Sequence, residues 1–387
     1  MILLEAKPAP IAGERIGKIA SSYQYVYTGT SVCDLLAELG EPYKNAIAVV
    51  DRNGAICGSI FPQDLVKLLG KPFGRDLLLR QPVDAIMRDA VTFRYDAYIQ
   101  EVRERISGDL EKGEDAHYIL VDKVGRFCAH VGSQDILLQA FNAHRRELET
   151  AMAIQNRLVP PCRSVQGDRV SIICSAVMAQ GIGGDYYHVT EYSPGKWFFC
   201  LCDISGKGIS AAIITAVLAG FMHNADFSLP FEVLIGELNH IILNTFTLEK
   251  YLTGFFARFT VETGELEYCD MGHALFFALE GEKLYQISRS ADNVPVGLVE
   301  NPAPESRTLR LAPGALLIIM SDGIPEQENR KKAVFPLQDL GAHIHASLAS
   351  GAGLVSAKVR IFEEFYRFKR DMPQHDDISL LLFHFAR

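Results

Sequence analysis

Downstream of Pro160 the chain reads as short strand-like stretches interleaved with a few long helical ones, and this pattern restricts the fold more than any other feature. "RVSIICSAV", "GKWFFCLCDI", "LTGFFARFTVET", "GELEYCDMGHA", "GALLIIMSDG" and "ISLLLFHFA" are brief apolar runs bounded by turn residues. "ISAAIITAVLAGFMHNA", "PFEVLIGELNHIILNTF" and "VSAKVRIFEEFYRFKR" have helical period and length. Strands predominate, and the first two helices follow one another directly. A doubly wound sheet alternates strand and helix throughout, so the pattern predicts an α+β layered domain.

The chain has 387 residues, more than the roughly 100–200 of a typical domain, so two or three domains are expected. An internal repeat marks the first. "AIAVVDRNGAICGSIFPQDLVKLLG" at 46–70 matches "HYILVDKVGRFCAHVGSQDILLQ" at 117–139, with Asp51, Gly54 and Asp64 each 71 residues before Asp122, Gly125 and Asp135. Each copy reads as strand, Asp-x-x-Gly turn, strand and helix, and "SVCDLLAELG" and "YIQEVRERI" supply a helix before each. From Ser133 to Val159 there is no Gly or Pro, which predicts a helix of about 40 Å at 1.5 Å per residue, stopped by Pro160 and Pro161. Phe141, Leu148, Met152 and Leu158 fall near one stripe of it, suited either to packing on one domain or to a coiled-coil seam. The expected organisation is a tail at 1–14, the repeat at 15–140, a linker helix at 141–160 and the strand-rich domain at 161–387.

A net charge of -9, with no Lys/Arg stripe, argues against a nucleic-acid partner. An acidic protein that handles phosphate must obtain positive charge elsewhere, and bound metal is the obvious source. No apolar run approaches the roughly 20 residues needed to span a bilayer, and the N-terminus lacks a basic start, so a cytosolic protein without membrane association is expected. The eight cysteines form no C-x-x-C pair and imply no disulfide framework.

Four aspartates share one context. Asp185 in "GIGGDYY", Asp203 in "LCDISGKG", Asp322 in "IIMSDGIPE" and Asp376 in "QHDDISLLLF" stand at strand ends or in the adjoining turns. Singly, each is explained as a turn or capping residue. Converging, they would repel one another unless cations neutralised them, and two divalent ions balance four carboxylates. An all-oxygen set favours Mg²⁺ or Mn²⁺ over Zn²⁺. A P-loop is excluded, because Lys207 is followed by Gly208 and Ile209 where Ser or Thr is required. A GGDEF-type cyclase is excluded because no acidic residue follows "GGD". Lys207 is expected to be solvated. His273 and His375 are candidates for supporting or acid groups, although a lone turn histidine is more often structural.

The order "GGDYY", "DISGKG", "SDG", "DDIS", with "ELETAMAIQNRLVP", "MGHA" and "VPVGL", resembles the SpoIIE-like branch of the metal-dependent (PPM) serine/threonine protein phosphatases across about residues 150–387. The resemblance implies an α/β/β/α sandwich and hydrolysis of phosphoserine or phosphothreonine by a hydroxide held between two Mn²⁺ or Mg²⁺ ions. It assigns Asp203 as the bridging metal ligand, with the Ile204 carbonyl, Asp185, Asp322 and Asp376 completing the metal and catalytic set. It also suggests a phosphorylated STAS-domain anti-anti-sigma factor as substrate. His188, "DMGH" and Asp377 depart from the family pattern without removing a primary ligand. The repeat resembles a cystathionine-beta-synthase (CBS) domain pair of βαββα type, which binds adenine nucleotides or serves as a dimerising regulator. Phe61 and Gly132 replace the hydroxyl residue of that family's ribose pattern, leaving Asp64 and Asp135 as helix caps and a homodimer as the default role. Two other readings stay open: a catalytically silent phosphoprotein-binding scaffold and a nucleotide sensor.

Overall fold

The structure is a computed structural model that describes residues 2–39, 46–70, 79–108, 116–246, 250–287, 293–350 and 353–386. The chain divides into two compact units, Met1–Glu147 and Leu148–Arg387. Among the described residues no helix is long and apolar enough to cross a membrane.

In the first unit, β1 (Leu4–Glu5), β2 (Gln24–Tyr27), β3 (Ile47–Val50) and β4 (Ile56–Ile60) form one sheet, and β5 (Thr92–Arg94), β6 (His117–Val121) and β7 (Phe127–Gly132) a second. Helix α1 (Val32–Glu38) joins the parallel pair β2 and β3, α2 (Pro62–Leu69) follows β4, and α3 (Ile99–Arg105) joins the parallel pair β5 and β6. A helical crossover is what a parallel pair requires. The β3–β4 and β6–β7 pairs are antiparallel, and each carries its register shift at the repeat-equivalent place, Val49/Val50 and Leu120/Val121. The turns repeat too. Asp51 Oδ1 accepts from the Asn53 and Ala55 amides, as Asp122 Oδ1 does from those of Val124 and Arg126. Gly54 and Gly125 close these turns at φ 84° and 85°, where a side chain would be strained.

The second aspartates of the repeat diverge. Asp135 caps as expected, accepting the Gly132 amide at 2.9 Å. Asp64 instead meets Arg88 Nη2 at 2.5 Å, because the buried carboxylate finds a cation that the other copy lacks. Helix α4 (Ser133–Leu158) follows β7. Phe141 on its surface is 64% exposed.

The second unit is a sandwich of two antiparallel sheets with a helix pair on each outer face. Its first sheet has the order β10 (Tyr186–Ser193), β11 (Lys196–Ile204), β12 (Leu252–Thr260), β13 (Glu265–Met271), β16 (Arg307–Arg310). Its second has the order β15 (Lys283–Gln286), β14 (Phe276–Glu280), β17 (Leu316–Met320), β18 (Ile378–Phe385), β9 (Val170–Val177), β8 (Cys162–Gln166). Side chains alternate across each strand, and in the inner strands both faces are covered, which is why β9, β11, β17 and β18 read as nearly unbroken apolar runs, whereas the edge strands β8, β15 and β16 are largely exposed. On β18, Leu381, Phe383 and Phe385 enter the core between the sheets, whereas Ile378, Leu380 and Leu382 pack toward α7 (Leu340–Ala349) and α8 (Gly353–Lys369). Opposite, Phe199 stacks on Phe383 with ring centroids 5.0 Å apart, while its neighbour Phe198 turns outward onto Phe227, beside α5 (Ile209–Asn224) and α6 (Phe231–Phe246).

Phe383 also meets the edge of Phe259 at 4.9 Å, so its ring joins the two sheets. Phe383→Ala is expected to remove ~3–5 kcal/mol from the unfolding transition of the Leu148–Arg387 unit. Urea titration of the full chain, followed by tryptophan fluorescence at the buried Trp197, measures this; a loss below about 1 kcal/mol would contradict the assigned sheet-to-sheet contact.

Candidate active site

Antiparallel pairing places the start of one strand beside the end of the next. Tyr186 lies opposite Cys202, so Asp185, just before β10, and Asp203, near the end of β11, flank the same sheet edge. Met320 lies opposite Leu380, so Asp322 after β17 and Asp376 before β18 do the same for the second sheet. Each sheet thus delivers two carboxylates to one end of the sandwich. Asp203, Asp322 and Asp376 line a common cavity of about 280 Å³ with Ile204, Lys207 and His273. Asp185 lies behind it, 1% exposed, with Asp203 and Asp377 as its charged neighbours.

The electrostatics follow from this crowding. Burial, then the charges of Asp203 and Asp377, push the Asp185 carboxyl well above the usual carboxylate range. The Ser321 and Ser379 hydroxyls are near enough to oppose this, but neither reaches hydrogen-bonding geometry, and both Asp185 oxygens lack a partner among the described residues. Burial, followed by Asp322, Asp376 and Asp377, raises Asp203 to about 7. Asp322 is raised by burial and by Asp376. A buried carboxylate with no donor is costly unless a cation meets it, so this set fits a divalent ion by charge and by its all-oxygen chemistry. As placed, no three Asp, Glu, His or Cys side chains among the described residues are arranged to hold one ion together. Asp376 faces Lys207 instead.

Lys207 departs from the expectation of a solvated side chain. Its Nζ lies 2.9 Å from Asp376 Oδ2 and also donates to the His375 carbonyl. The ammonium is drawn to the concentrated negative charge, and the Asp376 contact raises its own pKa. The Ile204 carbonyl lies over Gly184, where a Cβ would approach it to 2.7 Å. Ser205 is a staple, its Oγ accepting from the Tyr251 amide at 3.1 Å.

His273 is buried beside the cavity, and its Nε2 lies 2.8 Å from the Met320 carbonyl. A carbonyl only accepts, so Nε2 carries the proton. Burial lowers the ring pKa to about 4, which leaves it neutral and commits its one N–H to the end of β17. His375 contributes its backbone: its amide donates to Gln327 Oε1 and its carbonyl accepts from Lys207. His188 packs outward against Phe198, Phe227 and His223, with its Nδ1 3.3 Å from the Tyr186 hydroxyl.

Three residues here were not singled out from the sequence as positioning groups. Asp377 accepts from the Ala179 amide at 2.8 Å and the Gly184 amide at 2.7 Å, so it ties the Asp376 loop to the Asp185 loop. A Cβ on Gly183 would collide with this carboxylate, which gives that glycine its reason. Gln155, on the last turn of α4, makes a reciprocal pair with Gly183, donating to its carbonyl at 2.7 Å and accepting its amide at 3.0 Å. Gln327 bonds the Asp376 loop from the other side. The double aspartate and the glutamine within "AIQNRL" were visible in the sequence, but their partners lie far away along the chain.

A carboxyl whose pKa is higher folded than unfolded stabilises the fold at low pH, and that contribution is lost as pH rises through the folded value. With metal chelated, the full chain should therefore lose thermal stability between about pH 4 and about pH 7 through Asp203, raised from 3.8 to about 7. Asp203→Asn should flatten this slope in melting scans under EDTA. An unchanged slope would contradict the buried, charge-crowded placement of Asp203.

The family described as Stage II sporulation protein E (SpoIIE) matches residues 193–386. Protein IcfG of Synechocystis sp. is 21% identical over 267 residues, covering 62% of this chain and 41% of its own length. Phosphoserine phosphatase RsbP of Bacillus subtilis is 25% identical over 188 residues, covering 46% of this chain and 45% of its own. The chain thus spans less than half the length of either relative. A solved structure, the SiaA-PP2C domain of Pseudomonas aeruginosa, superposes at a TM-score of 0.52 and 18% identity over 64% of this chain and 99% of its own, a likeness of fold. With four strand-end aspartates gathered at one end of a two-sheet sandwich and half of its length matched, the chain belongs to the Stage II sporulation protein E (SpoIIE) family.

Proposed function

We propose that this chain is a divalent-metal-dependent protein phosphatase acting on phosphoserine or phosphothreonine. The observation that carries the reading is Asp185, a fully buried carboxylate with no hydrogen-bond partner among the described residues, set beside Asp203 at the acidic cleft. The carboxylates of Asp185, Asp203, Asp322 and Asp376 and the Ile204 carbonyl would hold two Mn²⁺ or Mg²⁺ ions. Bound there, such ions supply positive charge for the phosphoryl oxygens and a water acidic enough to serve as nucleophile. The chain's own residues do the rest. Lys207 holds an ammonium at the cavity wall where a phosphate dianion would enter. Asp377 and Gln155 fix the loop that carries Asp185. His273, neutral and with its N–H committed to Met320, is a strut for the Asp322 strand and no proton donor.

The printed name of RsbP, a phosphoserine phosphatase, supports the substrate class. A phosphorylated STAS-domain anti-anti-sigma factor is the substrate that the family resemblance favours. The repeated pairings of β2–β3–β4 and β5–β6–β7 support reading residues 15–140 as a CBS-like regulatory pair, acting by homodimerisation, with adenine nucleotide the lesser role. Helix α4 would relay its state, since Gln155 bonds Gly183 and the Thr215 hydroxyl of α5 reaches the same carbonyl at 3.2 Å.

The purified chain should hydrolyse p-nitrophenyl phosphate in a Mn²⁺-dependent manner. Asp203→Asn should lower the rate by about 10²–10³-fold or more, the scale on which loss of a preorganised charge-stabilising group acts. Folded wild-type protein that turns over neither this ester nor a phosphoserine peptide would favour the silent scaffold instead.

A further inference from the structure

The hydrogen-bonded ladder between β17 and β18 ends before the residues that matter most. Its last pair is Met320 with Leu380, extended by one turn of side-chain bonding around Ser321, whose amide donates to the Ser379 carbonyl and whose hydroxyl donates to the Asp377 carbonyl. Asp322 and Asp376 sit beyond it, on two loops that carry like charge and would be pushed apart. Something other than the sheet must hold those loops in register.

Gln327 occupies that place. It is fully buried, although Glu326 beside it is exposed and Glu328 half-buried. Its Oε1 accepts from the His375 amide at 3.2 Å, and its Nε2 donates to the Pro373 carbonyl at 3.2 Å and to the Glu328 carbonyl at 2.9 Å. Two of these three bonds cross from the Asp322 loop to the Asp376 loop, 46 and 48 residues along the chain. The far side of the Asp376 loop is fixed by Gln374, whose Nε2 donates to the Val177 and Asp376 carbonyls at 2.8 Å each. On the near side the Glu326 amide donates to the Asp322 carbonyl at 2.9 Å, closing the turn that presents Gln327.

We infer that Gln327 is a positioning residue that sets the spacing between Asp322 and Asp376 and thereby the affinity of the cleft for a divalent cation. The inference rests on the metal-dependent reading above, and it adds a residue outside the carboxylate set. A buried amide with three partners cannot be exchanged for an apolar group without leaving backbone groups unpaired, so a loss of stability alone would not distinguish positioning from packing. Metal affinity does. Residues that orient ligands without touching the metal typically cost about 10–100-fold in affinity when lost.

The test uses Gln327→Met in the full chain, with Asn239→Leu as a matched control. Asn239 is an equally buried amide that bonds two backbone groups, the Gly297 amide at 2.7 Å and the Val299 carbonyl at 2.9 Å, and lies outside the cavity lining. Mn²⁺ alone is titrated by calorimetry, and melting is followed under EDTA. Both variants should melt earlier, but only Gln327→Met should bind Mn²⁺ about tenfold or more weakly. Should that variant not fold, Gln327→Asn, which keeps an amide one methylene short, should show the same direction of change. Wild-type affinity in the folded Gln327 variant, with a melting loss like that of Asn239→Leu, would overturn the inference and leave the phosphatase reading standing. Wild-type protein that takes up no Mn²⁺ would overturn both.

Discussion

The second unit is organised around a repulsion. Four carboxylates that favour water and one another's absence are brought to one end of the sandwich, two from each sheet, and one of them is buried completely. In a medium less polarisable than water, like charges at such a site cost more than any surface ion pair returns. The cost appears in the upward displacement of the Asp185, Asp203 and Asp322 carboxyls, each caused first by burial and then by its neighbours. A fold that keeps this arrangement needs rigid strands beneath it, and the divalent ions proposed above would offset the crowding within it.

The rigidity comes from the packing. A one-residue slip would swap the two faces of a strand covered on both sides and break its packing against both layers, so the registers that fix Asp203 opposite Thr253 and Met320 opposite Leu380 are held by the whole core. Beyond the ladders, side-chain amides and Asp377 take over. Gln155, Asp377, Gln327 and Gln374 each bond backbone groups of the loops that carry the acidic residues, so both sides of the cleft are braced by neutral or internally satisfied groups. Gln155 belongs to α4, so one brace of the cleft is supplied by the helix that begins at Ser133.

Much of this could be read from the sequence because it depends on local patterns. Unbroken apolar runs such as "LLIIM" and "ISLLLF" announce strands buried on both faces, and an aspartate at the end of such a run marks the sheet edge. The repeat showed itself through Asp51 and Asp122, whose turns fold alike because Asp-x-x-Gly carries its own hydrogen bonds. The rest depended on partners distant in sequence. Nothing near Asp64 says that Arg88 will claim it while Asp135 caps its own helix. Lys207 resembled a solvated loop lysine until Asp376, 169 positions later, was brought opposite it. His273 could have been an acid or a strut, and only the Met320 carbonyl against its Nε2 decides between them.

The central claim is that the four aspartates form one cation-binding cleft, and crystals of the full chain grown with Mn²⁺ test it most directly. Anomalous difference maps should place two Mn²⁺ peaks between Asp185, Asp203, Asp322 and Asp376, with the Lys207 ammonium moved off Asp376. Maps with no peak in that cleft at saturating Mn²⁺, or with Mn²⁺ bound elsewhere while Lys207 still holds Asp376, would contradict the account.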